Sequence, residues 1–185
     1  MMDVQLILKN RSYYKKRISF ILKELPRITG TVLDLGCGEM ILADNLLMNE
    51  NVEYVGIDLQ RFKASDFFIQ MNAVQYISST TRRFDYIFCL GLIDHLNPSD
   101  RASCIKNCLG KMNTRLIVNA ANSDNIFLKL FRKTMNRENE LFIHCKSKIY
   151  LLKIPFTQIL IKLTGLFFIQ KYFATEIVYF ITPEI

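Results

Sequence analysis

At the start of this chain the hydrophobic positions recur with a helical period, and further along they form short apolar runs. In residues 3–25 the apolar side chains recur every three or four positions and form one stripe, which consists of Ile7, Tyr14, Ile18, Ile21, Leu22 and Leu25. Lysines lie largely off this stripe. Because Pro26 and Gly30 follow, the pattern predicts an amphipathic helix that ends near residue 25.

Apolar runs then alternate with helical stretches. Strands are predicted at residues 31–36, 52–58, 67–72, 84–91 and 114–120, and helices at residues 40–49 and 98–112. Alternation of this kind is typical of right-handed βαβ units. The pattern therefore predicts an α/β fold with a mostly parallel sheet that helices cover on both faces.

The last third of the chain has a different pattern. Residues 123–150 have mixed helical and loop character without a clean period. A helix is predicted to begin at Pro155 and to end near Gly165. Two strands, 166–173 and 176–182, follow with only two residues between them. So short a connection predicts an antiparallel hairpin at the edge of the sheet.

Composition favours a single folded domain inside the cell. The chain has 185 residues, of which 50% are hydrophobic and 22% are charged. Its five cysteines include no C-x-x-C pair, and no secretory segment is visible at the start, so we expect a reduced, cytoplasmic protein. Cys104 and Cys108 stand four positions apart on a predicted helix. With no further His or Cys at ligand spacing, we interpret them as buried small hydrophobes and predict no metal site.

The charge of +7 gives weak information about partners. Basic residues gather at 9–17 and 129–137, where they suit a solvated helix face, nucleic acid, anionic lipid or an acidic substrate. No RRM, KH or zinc-finger pattern supports nucleic acid. Residues 149–169 are long enough to span a bilayer, but Lys153 and Lys162 would each cost about 2.5–3.5 kcal/mol there. We predict no transmembrane span and leave peripheral membrane contact open.

The stretch VLDLGCGEM, residues 32–40, carries the first chemical signal. Gly36 and Gly38 follow the first strand, where a parallel sheet binds its ligands and where glycine lets a ligand approach the backbone. A dinucleotide fingerprint would need glycine at position 41, but Ile41 stands there. Asp34 would repel a pyrophosphate. A carboxylate at this place suits a positively charged cofactor instead.

Asp58 ends the second strand, in YVGID. A carboxylate at this tip can accept hydrogen bonds from both hydroxyls of a ribose. It can also cap a turn before the next residues. The spacing from LDLGCG favours the ribose role.

These stretches resemble the class I (Rossmann-like) S-adenosylmethionine-dependent methyltransferases of the small-molecule type. The resemblance covers residues 32–40, 52–59, 84–96 and 104–120. It implies a three-layer sandwich around a mostly parallel seven-stranded sheet with an antiparallel C-terminal strand. It also implies one domain, 1–185, made of an N-terminal helix (1–30), a cofactor-binding core (31–120) and an acceptor-side insertion with a C-terminal helix and strand hairpin (121–185).

The resemblance further implies S-adenosyl-L-methionine as cofactor and a set of residues that bind it. The methionine end would lie near Asp34, Gly36, Cys37 and Gly38, the ribose at Asp58, the adenine beside Leu59, and the methyl group near Leu90 and Gly91. Two positions depart from the family. Met40 stands where many relatives have a third glycine. Asn72 stands nearest to an aspartate that accepts from the adenine amino group, and its amide oxygen can accept the same bond.

For methyl transfer, the protein mainly has to align the acceptor with the methyl group of the cofactor. If the acceptor is a hydroxyl, a base must remove its proton. Asp94 and His95, which follow the fourth strand, are the candidate catalytic residues. His144 is the second histidine and could border the acceptor. Tyr13 and Tyr14 could wall the acceptor pocket or simply pack.

Together these features predict a methyltransferase that acts, most simply at oxygen, on a small molecule or on a glycan- or lipid-linked precursor. The motif of DNA amino methyltransferases is missing, because NPSD at Asn97 lacks the second proline and the aromatic residue. Two alternatives stay open. One is an RNA-directed methyltransferase, and the other is a catalytically inactive S-adenosylmethionine-binding or adaptor protein.

Overall fold

The computed structural model describes residues 4–62, 65–121, 147–151 and 176–183. Its elements are the helices α1 (Val4–Lys23), α2 (Ile41–Leu46), α3 (Ala73–Ser79) and α4 (Pro98–Lys111), a 3-10 turn (Ile93–His95), and the strands β1 (Gly30–Leu35), β2 (Val52–Asp58), β3 (Phe68–Gln70), β4 (Phe84–Cys89), β5 (Met112–Ala121), β6 (Ser147–Leu151) and β7 (Glu176–Ile181).

The strands form one seven-stranded sheet in the order β3-β2-β1-β4-β5-β7-β6. β1 pairs in parallel with β2 and β4, β2 with β3, and β4 with β5. β7 runs antiparallel to both β5 and β6. The predicted fold class is confirmed. The chain leaves β1 toward β2 on one side and later returns to β4 on the other, so the strand order reverses at β1, where α/β sheets bind ligands.

Two apolar clusters lie on opposite faces of the sheet, because successive strand residues point to opposite sides. Val32 of β1 and Phe88 of β4 pack with buried residues of α1 and α2 on one face. Leu33 and Ile87 pack with α3 and α4 on the other. This arrangement gives the three layers and explains why the central strands show no polar alternation.

The C-terminal part of the sheet corrects two predictions. β6 spans Ser147–Leu151, whereas the pattern predicts mixed helical and loop character for residues 123–150. β7 is also an interior strand, paired from residue 176 to residue 181 with β5 on one side and, over residues 176 to 180, with β6 on the other. The predicted hairpin of 166–173 with 176–182 at the sheet edge is therefore wrong in pairing. Residues 166–173, the helix predicted from Pro155, and His144 lie outside the described residues.

Two strands end earlier than the pattern predicts. The strand predicted to reach residue 72 ends at Gln70, because Asn72 begins helix α3 as its N-cap. The strand predicted to reach residue 91 ends at Cys89, and Gly91 has a φ of +86°, which turns the chain out of the sheet. Both strands end on the side of the sheet where the parallel strands have their carboxyl ends. Among the described residues, no helix has the length and hydropathy to cross a bilayer.

Candidate cofactor site

The loop after β1 folds over the end of β2. The backbone N–H groups of Gly36 and Cys37 both donate to the carbonyl oxygen of Ile57, at 2.8 and 3.1 Å. Gly36 and Gly38 have φ of +74° and +51°, values that glycine adopts without the strain other residues incur. The pattern G-x-G therefore suits the turn itself, because both positions have a positive φ.

Met40 has the left-handed backbone that a glycine would adopt there. Its φ is +57°, and its side chain is buried in the core. This conformation costs a non-glycine residue about 1–2 kcal/mol, which burial of the thioether side chain offsets. The sequence departs from the family at this position, but the backbone turn before α2 is kept.

Asp58 joins the ends of β1 and β2. Its Oδ2 accepts a hydrogen bond from the Gly38 N–H at 2.9 Å, and its Oδ1 accepts from the Gln60 N–H at 3.0 Å. The second bond caps a turn, which is the alternative role predicted for Asp58 from the sequence. Because each carboxylate oxygen has two acceptor directions, both oxygens keep the capacity to accept a further donor.

A cleft with about 340 Å³ of empty space, part of it open solvent, lies beside this carboxylate. Four of its lining residues were predicted from the sequence, namely Gly36, Asp58, Leu59 and Asn72. Four were missed, namely Ala73, Val74, Leu92 and Leu96. These four are ordinary apolar residues that only the fold brings to the edge of the sheet, although Leu92 and Leu96 flank the predicted Asp94 and His95.

Asn72 lines the cleft, but its side chain also has a structural task. Its Oδ1 accepts from the N–H groups of Val74 and Gln75, at 2.9 and 3.1 Å, and so caps α3. A bond to an adenine amino group would have to share this oxygen. Ala73 also lines the cleft, and its N–H, in the first turn of α3, has no intrahelical partner by its position.

Asp34 is buried below the loop, near the end of β1. Its Oδ2 accepts from the hydroxyl of Tyr54 at 2.6 Å. Burial raises the pKa of Asp34 to about 7, with the nearby charge of Asp58 acting in the same direction, while the Tyr54 hydrogen bond and Arg17 act against it. Burial likewise raises the pKa of the Cys37 thiol, which stays neutral.

The tip of β4 is held by a hydrogen-bond network. The Gly91 N–H donates to Oδ1 of Asn119 at 2.5 Å, and Nδ2 of Asn119 donates to Oε2 of Glu176 at 2.9 Å. The hydroxyl of Tyr13 donates to Oε1 of Glu176 at 2.5 Å, and Nη1 of Arg17 donates to its Oε2 at 3.2 Å. One carboxylate on β7 therefore connects β5 and helix α1 directly, and through Asn119 it reaches β4.

This network changes the interpretation of α1. Arg17 is 6% exposed, so the solvated-face interpretation is wrong for this residue, although Lys15 and Lys16 beside it are exposed. Tyr14 was predicted on the buried stripe, but it is 41% exposed and its ring lies 4.6 Å from the Arg17 guanidinium carbon. Neither Arg17, Asn119 nor Glu176 was found from the sequence.

Asp94 and His95 lie in the 3-10 turn after Gly91, and both are exposed. Oδ1 of Asp94 accepts from the Ala121 N–H at 3.2 Å, which ties this turn to the end of β5. Neither residue belongs to the lining of the cleft. Their catalytic roles stay predictions.

The cysteines of α4 have a third partner. Cys89 at the end of β4 lies against Cys104 and Cys108, with all three sulfur atoms within 4.8 Å of one another and fully buried. The premise that no further cysteine approaches the pair is therefore wrong, whereas the prediction of burial is confirmed. Hydrogen bonding to Cys104, with burial, raises the pKa of both Cys89 and Cys108, which stay neutral thiols in the apolar cluster.

Comparison with known families agrees with this geometry. A family model described as "Methyltransferase domain" matches residues 7–150 of the 185. The chain belongs to the methyltransferase domain family. The resemblance to class I S-adenosylmethionine-dependent methyltransferases is thereby confirmed, and with it the cofactor that the family uses.

Solved methyltransferase structures share the fold of this methyltransferase at low sequence identity. A SAM-dependent methyltransferase from Archaeoglobus fulgidus has a TM-score of 0.68 at 15% identity, over 96% of this chain and 99% of that one. Magnesium protoporphyrin IX methyltransferase from Synechocystis PCC 6803, with bound SAH, has a TM-score of 0.62 at 11% identity, over 96% and 84%. The small RNA methyltransferase HEN1 has a TM-score of 0.59 at 18% identity, over 92% of this chain and 26% of that one. No curated protein matches the chain by sequence.

The residues at the carboxyl ends of β1 and β2 fit the cofactor of this methyltransferase family. A Cβ atom built on Gly38 would meet nothing within 4 Å, so the space above this backbone is open next to the Asp58 carboxylate. Backbone of this kind allows close approach of a ligand, and the carboxylate supplies acceptors for hydroxyl groups.

Two alanine variants of the methyltransferase loop should separate binding from folding. In Gly36→Ala the new Cβ would lie 3.2 Å from Cβ of Leu92 at a φ of +74°, so we expect a lower melting temperature. In Gly38→Ala the methyl group meets no protein atom, so we expect a stability loss of only about 1 kcal/mol but at least tenfold weaker S-adenosylmethionine binding. Thermal unfolding and titration calorimetry measure the two effects. Unchanged affinity in Gly38→Ala would move the cofactor away from this loop.

Proposed function

We propose that this methyltransferase transfers the methyl group to an oxygen atom of a small molecule, or of a glycan- or lipid-linked precursor. The observation that carries the proposal is the exposed turn of Asp94 and His95 directly after Gly91. Histidine is the side chain that most often takes a proton from an acceptor hydroxyl in general base catalysis. A neutral amine attacks through its lone pair and needs this base less.

The cofactor-binding residues of the proposal are those of the predicted site. Asp58 accepts hydrogen bonds from the ribose hydroxyls, and Leu59, which is 63% exposed at the rim of the cleft, covers the adenine. Gly36, Cys37 and Gly38 carry the methionine half, with Leu90 and Gly91 bordering the methyl group. The presence of Gly36, Asp58 and Leu59 in the lining of the cleft, and the remaining acceptor capacity of both Asp58 oxygens, support the ribose and adenine part of this assignment.

When bound, S-adenosylmethionine supplies an electrophilic methyl group, and the cofactor itself carries most of the reactivity. The chain has to align the acceptor and to receive its proton. Alignment alone is worth about 7–11 kcal/mol in well-oriented reactions. His95 would accept the proton at an imidazole nitrogen, and Asp94 would stay bound to the backbone of Ala121, where it holds the turn.

A turnover assay tests the proposal. Purified protein is incubated with S-adenosylmethionine and three acceptor classes: hydroxylated small molecules, sugar nucleotides and lipid-linked sugars, and RNA. Release of S-adenosylhomocysteine is measured. We expect turnover with one of the first two classes, and His95→Gln to lower kcat about 100-fold, the scale of a lost general base, with the KM for the methyl donor unchanged. Ser99→Ala, in the first turn of α4, is the matched control and should leave kcat unchanged.

Other outcomes contradict the proposal in different ways. Turnover with RNA alone, with steep salt dependence, would identify an RNA-directed enzyme. Cofactor binding without turnover on any acceptor would identify a binding or adaptor protein. Full activity of His95→Gln would remove the base while leaving the family assignment intact. A cytoplasmic location and peripheral membrane contact are tested separately by fractionation of cells that express the chain.

A further inference from the structure

Arg17 is a buried cation with unused donors at the edge of the sheet. It is 6% exposed, and its Nε lies in the interior without a hydrogen-bond acceptor among the described residues. Its one hydrogen bond in this part of the chain runs from Nη1 to Oε2 of Glu176, at 3.2 Å. The rings of Tyr13 and Tyr14 lie 5.9 and 4.6 Å from its guanidinium carbon.

Glu176 does not saturate this guanidinium. Its two carboxylate oxygens already receive three donors, from Tyr13, Arg17 and Asn119. An arginine has five N–H donors in a planar fork that matches a second carboxylate. Burial of a guanidinium donor without an acceptor carries a desolvation penalty, and an anionic ligand that accepts from this donor removes the penalty.

The position of Arg17 identifies the kind of anion. A Cβ built on Gly91 would lie 3.6 Å from Nη2 of Arg17, so the guanidinium lies at the tip of β4. Asp34 is a buried carboxyl group near the end of the neighbouring strand β1, and Arg17 acts to lower its pKa. A buried carboxyl group and a buried guanidinium at the ends of two adjacent strands match a ligand that carries an ammonium and a carboxylate on one carbon atom. The methionine end of the methyl donor is such a zwitterion.

We propose that Arg17 binds the carboxylate of the methionine half of S-adenosylmethionine, and that Glu176 is the positioning residue that holds Arg17 for this contact. This inference rests on the family assignment and on the cofactor site proposed above. It means that residues of α1 and β7 contribute to cofactor binding in addition to those of the Gly-rich loop.

A pair of ligands that differ only in the carboxylate tests Arg17. The ligands are S-adenosylhomocysteine and its decarboxylated analogue, S-adenosyl-3-thiopropylamine, and titration calorimetry measures both. We expect the wild type to prefer the carboxylate ligand about 10- to 100-fold, the scale of a charge-assisted bidentate contact. Arg17→Met should bind both ligands within about threefold of each other and should keep the wild-type affinity for the decarboxylated one.

The matched control is Lys16→Met, which removes an exposed charge from the neighbouring position of the same helix. It should keep the wild-type ratio of the two affinities. If Arg17→Met does not fold, Arg17→Lys replaces it, because lysine keeps the charge but lacks the planar fork. We then expect the ratio to fall at least threefold.

Glu176→Gln tests the positioning role. The amide keeps the size of the side chain but leaves Arg17 without its counterion. We expect the KM for S-adenosylmethionine to rise at least fivefold with kcat within twofold of the wild type, and the preference for the carboxylate ligand to fall. A purely structural residue would lower kcat and protein yield without changing the ratio of the two ligand affinities.

The outcomes separate this proposal from the one on which it rests. A wild type that binds both ligands equally overturns the role of Arg17 and leaves the cofactor site in place. Equal loss of both ligands in Arg17→Met shows that Arg17 is structural and also overturns the proposal. A folded wild type that binds neither ligand overturns the cofactor site itself.

Discussion

Replacement of Asp58 by alanine should weaken the binding of S-adenosylmethionine at least tenfold, and by up to about 100-fold. The carboxylate lines the cleft, and both of its oxygens keep free acceptor capacity after their bonds to Gly38 and Gln60. A charge-assisted hydrogen bond is worth about 1.5–3 kcal/mol relative to water, so the loss of one such bond to a ribose hydroxyl already weakens binding about 10- to 100-fold. The alanine variant also frees the Gly38 N–H, so the loop loses one link to β2 and keeps those from Gly36 and Cys37 to Ile57. Titration calorimetry on the folded variant measures the loss.

Asp58→Asn is the matched control for this prediction. The amide keeps one acceptor oxygen, which can hold the Gly38 N–H, so the loop should keep its shape while the negative charge is lost. We expect a binding loss intermediate between those of the wild type and Asp58→Ala, and a melting temperature close to that of the wild type. Unchanged affinity in both variants would exclude Asp58 from the site. If affinity falls only in a variant whose melting temperature also falls, Asp58 acts only on the fold.

The features that the sequence predicted well are those in which one element carries its own signal. Gly36, Gly38 and Asp58 are read from the end of a strand, because backbone geometry and charge at that point are local properties. The alternation of strands and helices also predicts the parallel core, since each βαβ unit is nearly self-contained.

The features that the sequence did not predict depend on contacts between distant segments. Arg17 and Glu176 are 159 positions apart, and Cys89 meets Cys104 and Cys108 only through the packing of α4 on β4. Periodicity describes one element at a time, so it placed Arg17 among solvated basic residues. The predicted pairing of β7 with residues 166–173 failed for the same reason. A short connection favoured that hairpin, while the sheet places β5 and β6 on either side of β7.

Asn72 shows a third kind of limit to sequence interpretation. A polar residue just after a strand suggests a ligand contact, and the same residue type is also favoured as the N-cap of the next helix. Because β3 is short and α3 begins at residue 73, Asn72 takes the capping position and reaches the cleft as well. Only the positions of the Val74 and Gln75 N–H groups show that its oxygen is already engaged.

The second large effect is a pH dependence that originates in Asp34. Burial raises the pKa of this carboxyl from 3.8 to about 7 in the protein without ligand. Because the folded state binds this proton more tightly than the unfolded chain, the contribution of Asp34 to stability is complete below about pH 4 and is lost as the pH rises through 7. The difference in pKa corresponds to about 4 kcal/mol at most. Thermal unfolding of the ligand-free protein between pH 5 and 8 should show this loss, and Asp34→Asn should flatten the curve.

Binding of the methyl donor should have the opposite pH dependence. A cationic ligand near Asp34 favours the ionised carboxylate, so below pH 7 the protein must release a proton before the complex forms. We expect the dissociation constant of S-adenosylmethionine to rise up to tenfold for each pH unit between 7 and 5.5, and Asp34→Asn to bind weakly at every pH in this range.

5′-Methylthioadenosine, which lacks both the ammonium and the sulfonium charge, is the control ligand for this effect. It should bind with the same affinity at pH 5.5 and pH 8, because no positive charge meets the carboxyl. If S-adenosylmethionine binds equally well at both pH values, binding leaves the pKa of Asp34 unchanged, and the charge pairing that distinguishes this loop from a phosphate-binding one does not occur. If both ligands lose affinity in parallel at low pH, the proton acts on the fold of the loop rather than on the charge of the ligand.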